Sequence, residues 1–121
     1  PTMAPTTTTI RVATGREWDK IVPGDNSESK FFQLVKPRLG DPCNTVTADG
    51  GQAGLASVCH PTERRKFSIA ELKRICAFPD DFVLTGTYAQ QWERLGRAVP
   101  PIMMWAIAEA VRDGVLRRRG R

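Results

Sequence analysis

Five short groups of residues between Asp41 and Val99 carry the side chains and backbone that could do chemistry. Asp41-Pro42-Cys43-Asn44 offers a thiol, which attacks an electrophile only as the thiolate and only when held beside both its target and a proton donor. Nothing around Cys43 supplies these, so it reads as an ordinary loop or core cysteine. Thr45-Val46-Thr47-Ala48-Asp49-Gly50-Gly51 offers hydroxyls and bare glycine N–H groups. Such groups bond phosphates or base edges at close range, because glycine has no side chain to hold the backbone away; a hairpin with a glycine tip is the plain structural use of the same residues. His60, the single histidine, has no paired Ser, Cys or Asp motif and reads as a strand-end residue hydrogen-bonded to backbone. Arg64-Arg65-Lys66 is a run of three cations, either anion-binding or a solvated charged face. Gly96-Arg97-Ala98-Val99 precedes a Pro-Pro pair and reads as a sharp bend. No residue is assigned a catalytic role.

The elements that must position these groups follow from periodicity and capping. Residues 1–30 are Thr-rich and then polar, with strand character only over Thr8 to Ala13 and a turn cluster at Pro23-Gly24-Asp25-Asn26-Ser27. Phe31 to Val35 predicts a short buried strand that stops at Lys36-Pro37, because the residue before proline disfavours helix. Asn44 to Ala48 alternates β-branched residues and Leu55 to Cys59 is a second apolar run, so the two predict a hairpin with Asp49-Gly50-Gly51 at its tip. Ser68 and Glu71 have the S-x-x-E spacing of a capping box and open a helix to about Ala77, with Ile69, Leu72, Ile75 and Cys76 inward and Lys73 and Arg74 outward. Pro79 stops it, and Phe78-Pro79-Asp80-Asp81-Phe82 reads as a corner with its aromatics in the core and its aspartates capping or pairing with arginine. Thr87 and Gln90 repeat the capping device and begin a second helix through Leu95. Pro100-Pro101 starts a third, from about Ile102 to Arg112, with Gly114 as its cap. That third helix is apolar on more than one side, so an isolated piece exposes surface that a complete protein buries.

Composition narrows the classes. The chain has 121 residues, 40% hydrophobic, with nine prolines and ten glycines, which is one modest core. A net charge of +5 suits a polyanionic partner without identifying one. Cys43, Cys59 and Cys76 are odd in number and never spaced CxxC, so no metal site is expected and the thiols read as reduced, with Cys59 and Cys76 filling core. No apolar run approaches the ~18 residues of a membrane span, and PTMAPTTTT lacks the regions of a secretion signal, so a soluble, cytoplasmic protein is expected.

Two longer signatures occur in order: HPTERRKFSIAELKRICAFPDDF (60–82) and QQWERLGRAVPPIMMWAI (90–107). They resemble the ninth and tenth motifs at the C-terminal end of DNA cytosine-5 methyltransferases. The family's ninth motif reads roughly His-Pro, Arg-Arg-aliphatic-Thr, Arg-Glu, Arg-Leu-Gln and Phe-Pro-Asp-Asp-Phe, and its tenth reads Gln-aliphatic-Gly-Asn-Ala-Val-Pro followed by an apolar helix. The resemblance spans about 48 of the 121 residues. The family's Phe-Gly-Gly, Pro-Cys-Gln and Glu-Asn-Val segments do not occur in this sequence.

The resemblance implies an α+β fragment of a two-domain S-adenosylmethionine-dependent methyltransferase, with short strands and loops in the first half and three helices in the second. Residues 1–59 would end the target-recognition region, 60–86 would be the linking ninth-motif segment, and 87–121 the tenth-motif helices that pack on a catalytic domain outside this chain. It implies double-stranded DNA as partner, with Thr45, Thr47, Gly50, Gly51, Arg64 and Arg65 facing it. The first or second arginine would contact the DNA backbone or anchor the recognition region to the catalytic domain. Gly96, Arg97, Ala98 and Val99 would line part of the S-adenosylmethionine pocket. Arg97 departs from the family's Asn: its guanidinium only donates, whereas an amide both donates and accepts. In the implied reaction cytosine is flipped out, a cysteine thiolate adds to C6, the methyl group passes to C5, and β-elimination restores the ring. A fragment without that nucleophile would be inactive alone. The second reading is a non-enzymatic DNA-binding remnant or one subunit of a split methyltransferase; Arg97 favours it and the intact ninth motif argues against free drift.

Overall fold

The computed structural model describes residues 12–26, 34–52 and 57–119. Four helices run through these residues: α1 (Val12–Lys20), α2 (Ile69–Ile75), α3 (Tyr88–Arg97) and α4 (Pro101–Val111). Among the described residues backbone pairing takes the form of isolated bridges, including Asn26 with Val35, Val35 with Val58, and Cys59 with Lys66. The expected α+β class is therefore corrected: among the described residues the chain is helical with irregular connections and no strand of two or more paired residues.

The capped helices form where local chemistry dictates. Ser68 Oγ accepts from the Glu71 N–H at 3.2 Å while Glu71 Oε2 accepts from the Ser68 N–H at 2.8 Å. Thr87 and Gln90 make the same reciprocal pair at 3.3 and 2.9 Å, satisfying two otherwise orphaned donors at each helix start. α2 ends at Ile75, two residues short of the expected Ala77, and Ala77 takes a left-handed φ of 62°. There the Phe78 N–H reaches the Lys73 carbonyl and the Ala77 N–H the Arg74 carbonyl, the pattern of a Schellman cap with alanine in the glycine position.

α2 and α3 bury their apolar stripes together. Leu72, Cys76, Trp92 and Leu95 join Phe67 and Val58 in one core, with Val46, Phe78, Leu84 and Tyr88 packed around it. A second small core of Ile21, Leu34 and Cys59 closes under Trp18, whose indole N–H donates to the His60 carbonyl and whose ring carries Lys36 Nζ 3.5 Å from its centroid.

Several expectations for the first half change. The strand at Thr8 to Ala13 lies mostly outside the described residues, and Val12 and Ala13 are helical. Phe31 to Gln33, Leu55 and Ala56 also lie outside them; Val35 contributes two isolated bridges and Val58 one, rather than strands. Asn44 to Ala48 does not pair with the segment ending at Cys59, so no hairpin forms there. The reason is competition: Val46 packs into the helical core and Thr47 gives its carbonyl to Trp92, leaving that backbone committed to side chains.

The second half differs at its edges. Gly114 does not cap α4; the chain continues through a π-helical turn at Arg112–Leu116 and a last turn at Arg117–Arg119. Gly96 lies within α3 and is not a bend. Phe82 stacks edge-on against Phe78 with centroids 5.1 Å apart, yet it is exposed instead of buried in the core. Asp80 forms the expected ion pair, accepting from Arg74 Nε and a terminal nitrogen at 2.9 Å each. α4 buries nothing in this chain: Ile102, Met103, Met104, Trp105, Ile107 and Val111 all face outward.

Candidate functional site

The Thr45–Gln52 loop lies against α3, and its glycines explain how. A Cβ on Gly50 would fall 2.4 Å from Ser57 Oγ and 2.7 Å from Trp92 Nε1. One on Gly51 would fall 2.5 Å from Trp92 Cβ. One on Gly96 would fall 2.8 Å from the Ala48 N and Cα and from the Thr47 carbonyl carbon. Real Cβ atoms do not approach so closely, so all three glycines are needed for packing. Trp92, fully buried, donates its indole N–H to the Thr47 carbonyl at 2.8 Å.

The basic run splits into three environments. Lys66 is buried and donates to the carbonyls of Gly50 at 2.6 Å and Gln52 at 2.9 Å. Burial pushes its ammonium down to about 8, with Asp49 pulling the other way. Arg65 grips Glu71 with two nitrogens at 2.8 Å each and also pairs with Glu63. The bond to Arg65 is the main reason the Glu71 carboxyl is held down at about 2. Arg64 is exposed and pairs with Asp19 of α1. A solvated charged face would place all three alike; here only Arg64 is on the surface.

The remaining polar candidates settle into structural positions. His60 Nδ1 accepts from the backbone N–H groups of Thr62 at 3.2 Å and Glu63 at 3.0 Å. Cys43 is partly buried, and burial pushes its thiol up, with Cys76 adding to the effect; burial likewise raises Cys59 to about 11. Thiols so shifted are poor nucleophiles at neutral pH. Among the described residues no three His, Cys, Asp or Glu side chains are grouped to hold a metal ion, and no helix is long and apolar enough to cross a membrane.

Against this geometry, a family profile for C-5 cytosine-specific DNA methylases matches residues 5–113. The chain belongs to that family. A putative type II methyltransferase of Oceanobacillus iheyensis, M.OihORF3336P, is 35% identical over 98 residues, covering 80% of this chain and 21% of the relative. Type II methyltransferase M1.HphI of Haemophilus parahaemolyticus is 40% identical over 79 residues, 65% of this chain and 20% of the relative. M.Sau96I of Staphylococcus aureus is 42% identical over 60 residues, 50% of this chain and 14% of the relative. The chain thus spans about a fifth of the length of the curated relatives it matches. No solved structure matches it significantly.

In this C-5 methylase chain the candidate residues fall into two adjoining groups. Thr45 and Thr47 are exposed at the loop, whereas Gly50 and Gly51 are buried beneath it. The Gly50 N–H already donates to the Thr47 carbonyl and its own carbonyl accepts from Lys66. At the end of α3, Arg97 and Val99 are exposed and Gly96 and Ala98 half-buried. Gly96 against Thr47 and Ala48 joins the two groups. Arg65 is engaged by Glu71. The 96–99 turn is open: Arg97 Nε donates to Glu93 Oε1 at 2.9 Å on the surface, and Val99 is half exposed. Such a segment cannot enclose a ligand by itself. Sequence reasoning missed Trp92 and Lys66 as the residues that seat the loop. Trp92 could have been found from its position on the inward stripe of α3; nothing in a run of cations marks Lys66 as the buried one.

Proposed function

We propose that this chain is the C-terminal part of a cytoplasmic, two-domain DNA (cytosine-5)-methyltransferase, comprising the end of the recognition region (1–59), the linking segment (60–86) and the helices that seat on the catalytic domain (87–121). The observation that carries the proposal is α4, whose large apolar residues are all exposed in a chain that belongs to the C-5 methylase family. An exposed apolar patch of that kind marks a surface that another body covers. The hydroxyls of Thr45 and Thr47 would donate to DNA phosphates or base edges, with Gly50 and Gly51 forming the turn beneath them. Arg64 would exchange Asp19 for a phosphate; Arg65 would serve as an anchor through Glu71. S-adenosylmethionine supplies the methyl group when bound. Gly96, Ala98 and Val99 would offer backbone and apolar surface to it, and Arg97 could turn from Glu93 to an anion such as the cofactor's carboxylate. The chain alone would transfer no methyl group, because orienting groups cannot replace a missing nucleophile.

Incubating the full-length protein with duplex DNA and methyl-labelled S-adenosylmethionine should place label at C5 of cytosine. Label on an exocyclic amine of adenine or cytosine would overturn the reading. Arg97, held on the surface by Glu93, favours a second reading, a non-enzymatic DNA-binding remnant or one subunit of a split methyltransferase; DNA binding with no transfer under any pairing would support the remnant, and transfer only on pairing with a separately encoded catalytic half would support the split subunit.

A further inference from the structure

Thr45 to Gln52 has no regular secondary structure, yet it is fastened at three points by residues from two later segments. Lys66 takes the carbonyls of Gly50 and Gln52. Trp92 takes the carbonyl of Thr47 and fills the space that side chains at Gly50 and Gly51 would need. Gly96 admits the Ala48 backbone into contact with the last turn of α3. Two attachments are backbone carbonyls accepting from a buried cation and a buried indole, and the third is close packing of the Ala48 backbone on a bare Cα, so they specify the path of the loop rather than its side chains. Gly96 is also the first residue of the turn assigned above to the cofactor.

From this geometry we infer that Lys66, Trp92 and Gly96 are positioning residues that clamp the DNA-facing loop to the cofactor-facing turn, so that the two binding surfaces move as one body. The inference rests on the proposed function for what each surface binds, but the clamp itself rests on the contacts alone. Where a ligand at one site shifts the fastened segment, the effect on the other site is reciprocal. A change confined to the α3 end should therefore be felt at the loop.

Gly96→Ala isolates this contact. Residue 96 lies in a helix, where alanine is a better helix former than glycine, so the substitution acts against the Ala48 backbone and not against α3. Trp92→Phe is the second variant: it keeps an aromatic in the core and removes the N–H that Thr47 accepts. Two measurements on the full-length protein separate the possibilities. Hydrogen exchange should quicken at least tenfold for amides in 47–52 in both variants while those in 69–76 keep their protection. DNA affinity without cofactor should fall about tenfold in both, whereas Val83→Ala, an exposed, uncharged position outside both groups, should leave that affinity unchanged. Unchanged exchange in 47–52 in a folded Gly96→Ala protein overturns the clamp. Should Gly96→Ala not fold, unchanged exchange in Trp92→Phe overturns it equally. Faster exchange with unchanged DNA affinity supports the clamp and overturns the DNA role of the loop beneath it.

Discussion

α3 and α4 are consecutive helices separated by three residues, Ala98 to Pro100, and each carries one tryptophan. Trp92 is fully buried and Trp105 is 65% exposed. The difference begins in the sequence: α3 sets Trp92 and Leu95 against Glu93, Arg94 and Arg97, while α4 reads Pro-Ile-Met-Met-Trp-Ala-Ile-Ala with no polar side until Glu109. A helix with one apolar stripe completes its burial against a single neighbour. A helix apolar all round needs partners on several sides, and among the described residues none of its side chains is buried. α3 thus belongs to the chain's own core, while α4 leaves its apolar surface in solvent.

Truncating the two tryptophans should separate these roles most sharply. Trp92→Ala should cost about 3–5 kcal/mol in denaturant unfolding of this chain, the range for emptying a large aromatic site. Trp105→Ala should lie within about 0.5 kcal/mol of the parent in the same assay, yet abolish methyl transfer by the full-length protein. Equal stability losses would erase the contrast.

Acid should attack the buried half next. The carboxyl of Glu71 is held at about 2 when folded, against an ordinary 4.5, so the unfolded chain takes up a proton first as pH falls. Stability from the Arg65–Glu71 pair is complete above pH 4.5 and lost toward pH 2. A Glu71→Gln variant should start less stable and show a flatter decline; a parallel decline would remove the pair from the account.

Base should act in the opposite sense over a narrow window. Lys66 sheds its proton near pH 8 when folded and near 10.5 when unfolded, so the unfolded state binds more protons between these values and stability rises with pH. Above pH 9 the raised thiol of Cys59 works against this, since the unfolded thiol ionises first. The rise should therefore show between pH 8 and 9 and be absent in Lys66→Met. A smaller effect comes from the caps: Ser68→Ala and Thr87→Ala should each cost about 1 kcal/mol.

The comparison also explains which parts of the fold could be read from sequence. Both capping boxes and both helices they open were legible because the interaction closes within four residues. The Asn44–Ala48 and Leu55–Cys59 hairpin was not, because β-branched alternation states a preference that Trp92 and the core overrode. Glycines were legible as special positions and misleading as to why: Gly96 suggested a bend and Gly50-Gly51 a flexible tip, while all three are surfaces pressed against Ala48 or Trp92. Gly114 suggested a cap, yet the helical path runs through it. For the candidate site, resemblance supplied Thr45, Thr47 and the 96–99 turn. The contact that joins them is long-range and could only be seen folded.

The most direct test is reconstitution. Made separately, this chain and a catalytic half carrying the family's cysteine loop should each fail to methylate cytosine in duplex DNA, and their mixture should transfer label from S-adenosylmethionine to C5. Transfer by this chain alone, or an inert mixture whose two parts bind each other while the undivided protein is active, would contradict the account.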